Sequence, residues 1–202
     1  MAKEAGLVLP RAKVFPSRKG YGFFGVKRFD RIHNNAPVHM HSLSGLLHAR
    51  HWEPSLDYLS VMKATMYLTK NIGQCEIQFR NAVFNVLSYN RDDHSKNFSF
   101  LMDSNGVWTV SPAYDLTYSH GPGGEHSTMM MGEGRYPGKD HLLRLAKSAG
   151  IQNAKALEII YQVVSAVKKW PQFASDARVS HLSARNIESS LSLIRKNGFS
   201  DF

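Results

Sequence analysis

Asn90-Arg91-Asp92-Asp93-His94-Ser95-Lys96-Asn97 is a run of eight residues without one apolar side chain, set between two apolar elements. On its N-terminal side Ile77, Val83, Phe84 and Leu87 recur at helical spacing, which predicts a helix over about 75–89. On its C-terminal side Phe98-Ser99-Phe100-Leu101-Met102 and Val107-Trp108-Thr109-Val110 are β-type runs joined by Asp103-Ser104-Asn105-Gly106. Aromatic and β-branched runs around an Asn-Gly dipeptide predict a hairpin. Ser111-Pro112-Ala113-Tyr114-Asp115-Leu116 then leaves the hairpin. A polar loop of this kind cannot bury itself without bonding partners, so it must turn to ligands, water or neighbouring elements.

Working outward, Ala12-Lys13-Val14-Phe15 and the stretch from Tyr21 to Phe29 read as two short strands about the turn Ser17-Arg18-Lys19-Gly20. Residues 31–54 are rich in histidine and irregular, with a short helix about Leu43–Leu47. Ser55 precedes Leu56, Leu59, Met62, Met66 and Tyr67, a helical spacing that runs to Asn71-Ile72-Gly73. Beyond Asp115 a loop rich in glycine and histidine reaches about Gly138. Helices follow over roughly 139–149, 152–169 and 180–196, with Pro171 and Gly198 as punctuation. A small sheet followed by helices is an α+β outline. Neither repeats nor a long linker divide the 202 residues, so one domain over 1–202 is expected.

Composition narrows the class. Hydrophobic residues make up 43% and charged residues 20%, the stock of a globular protein. The single cysteine, Cys75, rules out an intramolecular disulfide and points to a reducing, cytoplasmic compartment. No stretch approaches the ~18 apolar residues of a membrane span, and the N-terminus does not read as a signal peptide. The net charge of +9 favours an acidic partner or an anionic ligand. Its basic residues are dispersed, and nothing reads as a recognition helix, so direct nucleic-acid binding ranks last.

Arg91-Asp92 followed five residues later by Asn97 meets the catalytic-loop spacing of protein kinases. In that template the Asp accepts the proton of the substrate hydroxyl, the Asn holds Mg2+, and a second metal-binding Asp lies beyond a hairpin, where Asp115 stands here. Phosphoryl transfer needs this pattern because its catalysis is mostly positioning and charge neutralisation. Each residue alone is a common turn former. The ordered set is what points to an active site.

The run 90–100, with Ser111-Pro112-Ala113-Tyr114-Asp115, resembles the catalytic core of the HipA family, bacterial serine/threonine kinase toxins of toxin–antitoxin modules. Val26-Lys27-Arg28-Phe29-Asp30-Arg31 resembles that family's hinge between the two kinase lobes. The resemblance implies a protein-kinase-like fold: residues 1–30 a remnant of the N-terminal lobe with its hinge, residues 31–202 a mostly helical C-terminal lobe. It implies ATP and Mg2+ as cofactors. Asp92 is then the base, Lys96 offsets charge on the transferred phosphate, and Asn97 and Asp115 are metal ligands. The backbone of Lys27 to Phe29 meets the adenine and Asp30 the ribose. It further implies a protein substrate, with an aminoacyl-tRNA synthetase as a plausible target, and a DNA-binding antitoxin of the HipB type.

The sequence departs from the family where a glycine-rich phosphate loop and a strand lysine are expected; Met1 to Leu7 reads as the end of the lobe's helix. Gly20-Tyr21-Gly22-Phe23-Phe24-Gly25 lacks a following helix and reads better as strand and turn glycines. Two rivals to an active kinase therefore stand: a catalytically inactive fragment that binds nucleotide or antitoxin, and one half of a split kinase completed by a separate N-terminal lobe protein. His33, His39, His41, His48 and His51 fall close together, and His39-x-His41 has a spacing that can bind a transition metal, although surface histidines are the preferred reading. His120, Glu125 and His126 occupy the position of an activation segment and either help to bind substrate or decorate a loop.

Overall fold

The computed structural model describes residues 1–20, 22–49 and 56–201. Tyr21, His51 and Ser55, each singled out from the sequence, lie outside the described residues.

The fold is built on one helix. α3 (Ile72–Leu87) carries apolar residues at helical spacing, and its C-terminal half is buried on every face. A helix hydrophobic all round must be covered on all sides. α2 (Tyr58–Thr69) and α5 (Asn153–Val167) pack along it, and α7 (His181–Gly198) and the hairpin strand β6 (Trp108–Val110) close the remaining sides. Phe79, Val83 and Leu87 of α3 and Ile159, Ile160, Val163 and Val167 of α5 belong to this core. α4 (Lys139–Ser148) packs Leu142 and Leu145 into it.

Two helix starts follow local chemistry. Asp57 caps α2 by accepting from the Leu59 N–H at 2.7 Å, and Asn71 caps α3 by accepting from Gly73 N–H at 2.8 Å, each satisfying an orphan amide of the first turn. Pro171 starts a helix rather than breaking one. It occupies the first turn of α6 (Trp170–Asp176), where a missing N–H costs nothing.

The central hairpin forms as its sequence predicts. β5 (Ser99–Met102) pairs antiparallel with β6, Phe100 opposite Val110. The Asp103 carboxylate accepts from the Asn105 and Val107 amides, and Gly106 takes φ +78°. A third strand, β3 (His39–Ser42), pairs with the other edge of β5, in a segment whose sequence reads as irregular. His39 and His41 alternate along it, with the His39 ring 5.4 Å from that of Trp108. Strand β4 (Leu56–Asp57) pairs in parallel with β7 (Thr128–Met129) and ties the start of α2 to the segment beyond the site. The short helix α1 is Leu43–Leu46.

At the N-terminus β1 (Ala12–Phe15) and β2 (Phe23–Val26) form an antiparallel ribbon of their own. Gly22 has φ +90°, and a Cβ there would come within 2.5 Å of the Phe15 carbonyl oxygen. Gly25 faces the Phe15 ring within the strand. Both are glycines of a tight ribbon. The chain before the ribbon packs on the helical core: Ala5 and Leu7 are buried, and the Ala5 carbonyl accepts from Arg80 Nη1 at 2.8 Å. No helix of the described residues is long and apolar enough to cross a membrane.

Candidate active site

The polar loop 90–97 finds its partners inside the protein. Asp93, wholly buried, is its anchor. The Asp93 carboxylate accepts from the Tyr58 hydroxyl at 2.8 Å, from His126 Nδ1 at 2.9 Å and from the Thr128 amide at 3.3 Å. Its carbonyl accepts from Thr128 Oγ1 at 2.6 Å. A charge buried at this depth survives only with such a set of donors. Burial and the neighbouring Asp93 carboxylate push the Tyr58 hydroxyl well above its usual pKa, so it stays a donor.

Arg91 is also buried. Its guanidinium donates to the carbonyls of Gly124 and Arg135, the latter at 2.6 Å, and stacks 4.0 Å from the Tyr89 ring centroid. Arg91 and Asp93 together clamp residues 121–135 to the loop. His126 is thus an interior hydrogen-bond partner of Asp93, neither a substrate contact nor loop decoration. Glu125 pairs with Arg135 at 3.2 Å, and the His120 ring meets the Tyr118 hydroxyl at 3.1 Å.

Between these two inward-facing residues Asp92 faces out, its side chain 51% exposed. Its neighbours Arg91 and Asp93 are buried, while the Asp92 carboxylate is presented to solvent. Its carbonyl accepts from Asn97 Nδ2 at 2.9 Å, and the same amide donates to Asp115 Oδ2 at 3.2 Å. The structure therefore brings Asn97 and Asp115 into direct contact, although 18 residues separate them. Asp115 is exposed and holds the left-handed φ of +54°, a conformation that L side chains rarely adopt. From behind, Asn90 Nδ2 donates to the Asp115 carbonyl at 3.4 Å and to Asn85 Oδ1 at 3.0 Å.

The hinge residues reach the same place through Tyr114. The Phe29 ring lies 5.6 Å from that of Tyr114. The Tyr114 hydroxyl meets Ser99 Oγ at 2.6 Å and donates to the Lys96 carbonyl. The side chain of Lys96 is exposed. Lys27 is exposed, and its N–H donates to the Arg11 carbonyl at 2.8 Å in continuation of the β1–β2 ladder. The Asp30 carboxylate is gripped by Arg28 Nε at 2.8 Å and Nη2 at 2.5 Å, which holds its pKa below the usual carboxylate range. The Asp30 carbonyl accepts from Val38 N–H at 2.9 Å, pinning the hinge to the chain that leads into β3.

Among the described residues no group of three or more His, Cys, Asp or Glu side chains is placed to hold a metal. The donor set at Asn97 and Asp115 is one amide and one carboxylate, both hard. That suits Mg2+, which takes few protein ligands and fills its octahedron with water and phosphate oxygens. It does not suit zinc, which asks for nitrogen and sulfur.

Comparison with known proteins supports the lineage. The family model for the HipA-like C-terminal domain matches residues 1–170. The chain belongs to the HipA-like C-terminal domain family. A Haemophilus influenzae protein named "Putative kinase" is 30% identical over 102 residues, 46% of this chain and 30% of that protein. The HipA structure from the Shewanella oneidensis MR-1 toxin–antitoxin complex of HipA, HipB and operator DNA shares the fold at TM-score 0.73 and 17% identity. That alignment covers 96% of this chain and 51% of the other. The chain spans about half the length of that HipA protein. The HipA-like fold accounts for the α+β order seen here, with the polar loop, hairpin and Asp115 at the centre.

Sequence reasoning did not assign Arg91, Asp93, Tyr58, Asn85, Asn90 or Tyr114. One signal for them was present. The eight polar positions between apolar elements signal that the loop needs partners, but nothing local in the sequence says which of Asp92 and Asp93 is interior.

Proposed function

We propose that this HipA-like domain is the helical lobe of an ATP- and Mg2+-dependent protein serine/threonine kinase of a toxin–antitoxin module. The observation that carries the reading is the contact of Asn97 Nδ2 with Asp115 Oδ2 at 3.2 Å beside the outward Asp92 carboxylate. That contact supports reading Asn97 and Asp115 as metal ligands beside Asp92 as the base.

In this reading Asp92 orients the hydroxyl of a protein serine or threonine and accepts its proton as the oxygen attacks the γ-phosphorus of ATP. Lys96 stands on the solvent face of the loop and offsets charge on the transferred phosphoryl group. Asn97 and Asp115 hold Mg2+, which when bound neutralises phosphate charge. The Asn97–Asp115 hydrogen bond keeps the two ligands together before the cation arrives. The backbone of Lys27–Phe29 meets the adenine, with the Phe29–Tyr114 contact fixing the height of that edge over Asp115. Asp30 meets the ribose. The substrate is a protein hydroxyl, an aminoacyl-tRNA synthetase by family resemblance, and a HipB-type antitoxin is the partner.

A specific feature favours a second component. The ribbon β1–β2 exposes Val14, Phe15, Phe23, Phe24 and Val26, each at least half exposed. Two strands alone are marginally stable in water. This ribbon is the natural seat for a β-rich lobe bearing a glycine-rich loop and a phosphate-binding lysine, on the same chain or a separate one.

The test is phosphoryl transfer from radiolabelled ATP to a seryl or threonyl acceptor, with the chain alone and with a glycine-rich lobe supplied. Asp92→Asn abolishes transfer while the far-UV spectrum is unchanged. Transfer retained in Asp92→Asn removes that residue from the role of base. No transfer and no nucleotide binding in either setting favours the inactive antitoxin-binding module.

A further inference from the structure

Behind the loop lies a small cavity of about 20 Å³ with mixed polar and apolar walls, bounded by α3, the loop and the exit of the hairpin. Gln78, Asn81 and Asn85 line it from α3, and Asn90, Asn97 and Ser111 from the other sides. Side chains at helix positions i, i+3 and i+7 share one face, so 78, 81 and 85 form a row of amides in a helix that otherwise buries apolar residues. Gln78 is 1% exposed and Asn90 2%. Gln78 Nε2 and Asn90 Oδ1 have no hydrogen-bond partner in the protein. One is a donor and the other an acceptor.

We propose that this cavity binds one water molecule bridging Gln78 Nε2 to Asn90 Oδ1, and that Gln78 is thereby a positioning residue for Asp115. The volume is that of one water, which needs about 10–15 Å³ and two to four polar partners. A cation does not fit, because it cannot accept from the Gln78 N–H. Water accepts from one group and donates to the other. The path onward is in place: with Asn90 Oδ1 held by the water, Asn90 Nδ2 is aimed at Asn85 Oδ1 and at the carbonyl of Asp115. Fixing that carbonyl holds the left-handed φ of Asp115 and with it the direction of the carboxylate toward Asn97. An amide left unpaired in the interior is destabilising, so the bridge also accounts for a polar row on a helix buried over its C-terminal half. The functional half of the inference rests on Asp115 being a metal ligand; the bridge itself does not.

The test uses the full chain. A high-resolution crystal structure shows one ordered water within hydrogen-bonding distance of both Gln78 Nε2 and Asn90 Oδ1. In Gln78→Met, which keeps length but removes the donor, the side-chain amide resonances of Asn90 and the backbone amide of Asp115 move. Those of His126 and Thr128, which hang on Asp93, stay in place. Titration with Mg2+–ATP then reads an affinity weakened about tenfold, the scale of losses from outer-shell partners. A dry cavity, a water that misses either group, or an unmoved Asp115 resonance overturns the proposal. Should Gln78→Met fail to fold, the wild-type water decides alone. A wild type that shows the bridge, with the resonance shifts seen in Gln78→Met, but binds no Mg2+–ATP either alone or with a glycine-rich lobe supplied leaves the bridge standing and overturns the kinase reading.

Discussion

The loop 90–97 and the ribbon β1–β2 are both short, both near the proposed nucleotide edge, and built in opposite ways. Four of the loop's eight residues, Asn90, Arg91, Asp93 and Ser95, are buried, and the bonds of Arg91 and Asp93 cross to distant parts of the chain. The ribbon's bonds run between its own two strands, and its large side chains face solvent. Polar residues thus carry the interior, and apolar residues lie outside. A catalytic surface must be held within a fraction of an ångström, which takes many independent restraints. An apolar exposed ribbon gains nothing in isolation and is the mark of a surface made for a partner.

Mutations sharpen that contrast in descending order of effect. Asp93→Ala leaves Tyr58, His126 and Thr128 without their acceptor and lowers the unfolding free energy by about 3 kcal/mol or more, read as a fall in the urea midpoint. Arg91→Met costs about 2 kcal/mol, since the part-buried carbonyls of Gly124 and Arg135 lose a charged donor; hydrogen exchange speeds up at residues 121–135 first. Tyr58→Phe costs about 1–2 kcal/mol. The folded pKa of Tyr58 lies above the unfolded value of about 10. Stability from keeping this phenol neutral is therefore complete below that value and lost as pH rises toward the folded one. Tyr58→Phe flattens this alkaline loss in a series of melts. Phe24→Ser, at a side chain 73% exposed, changes stability by less than about 0.5 kcal/mol yet weakens association with a supplied glycine-rich lobe. A large loss of stability in Phe24→Ser, or a negligible one in Asp93→Ala, breaks the comparison.

Legibility in the sequence followed the same division. The hairpin 99–110 was readable because Asn105-Gly106 and β-type runs are local signals. The spacing Asp92 to Asn97 was readable because it is fixed by the loop's own geometry. That Asn97 touches Asp115 followed from a motif, and the structure supplies the distance. Asp93 and Arg91 were not separable from their neighbours, since their partners His126 and Arg135 lie more than thirty residues away. β3 was missed because its pairing with β5 is long-range, and its own residues, His39-Met40-His41-Ser42, lack a strand composition. Pro171 misled because proline reads equally as a stop and as the first turn of a helix.

The central claim is that Asn97 and Asp115 form one site for Mg2+ and nucleotide. Calorimetric titration of the chain with ATP, with and without Mg2+, tests it most directly when repeated on Asp115→Asn. The account predicts saturable binding that requires Mg2+ and weakens at least about tenfold in Asp115→Asn, with the thermal midpoint unchanged. Binding that ignores both Mg2+ and the substitution would contradict it.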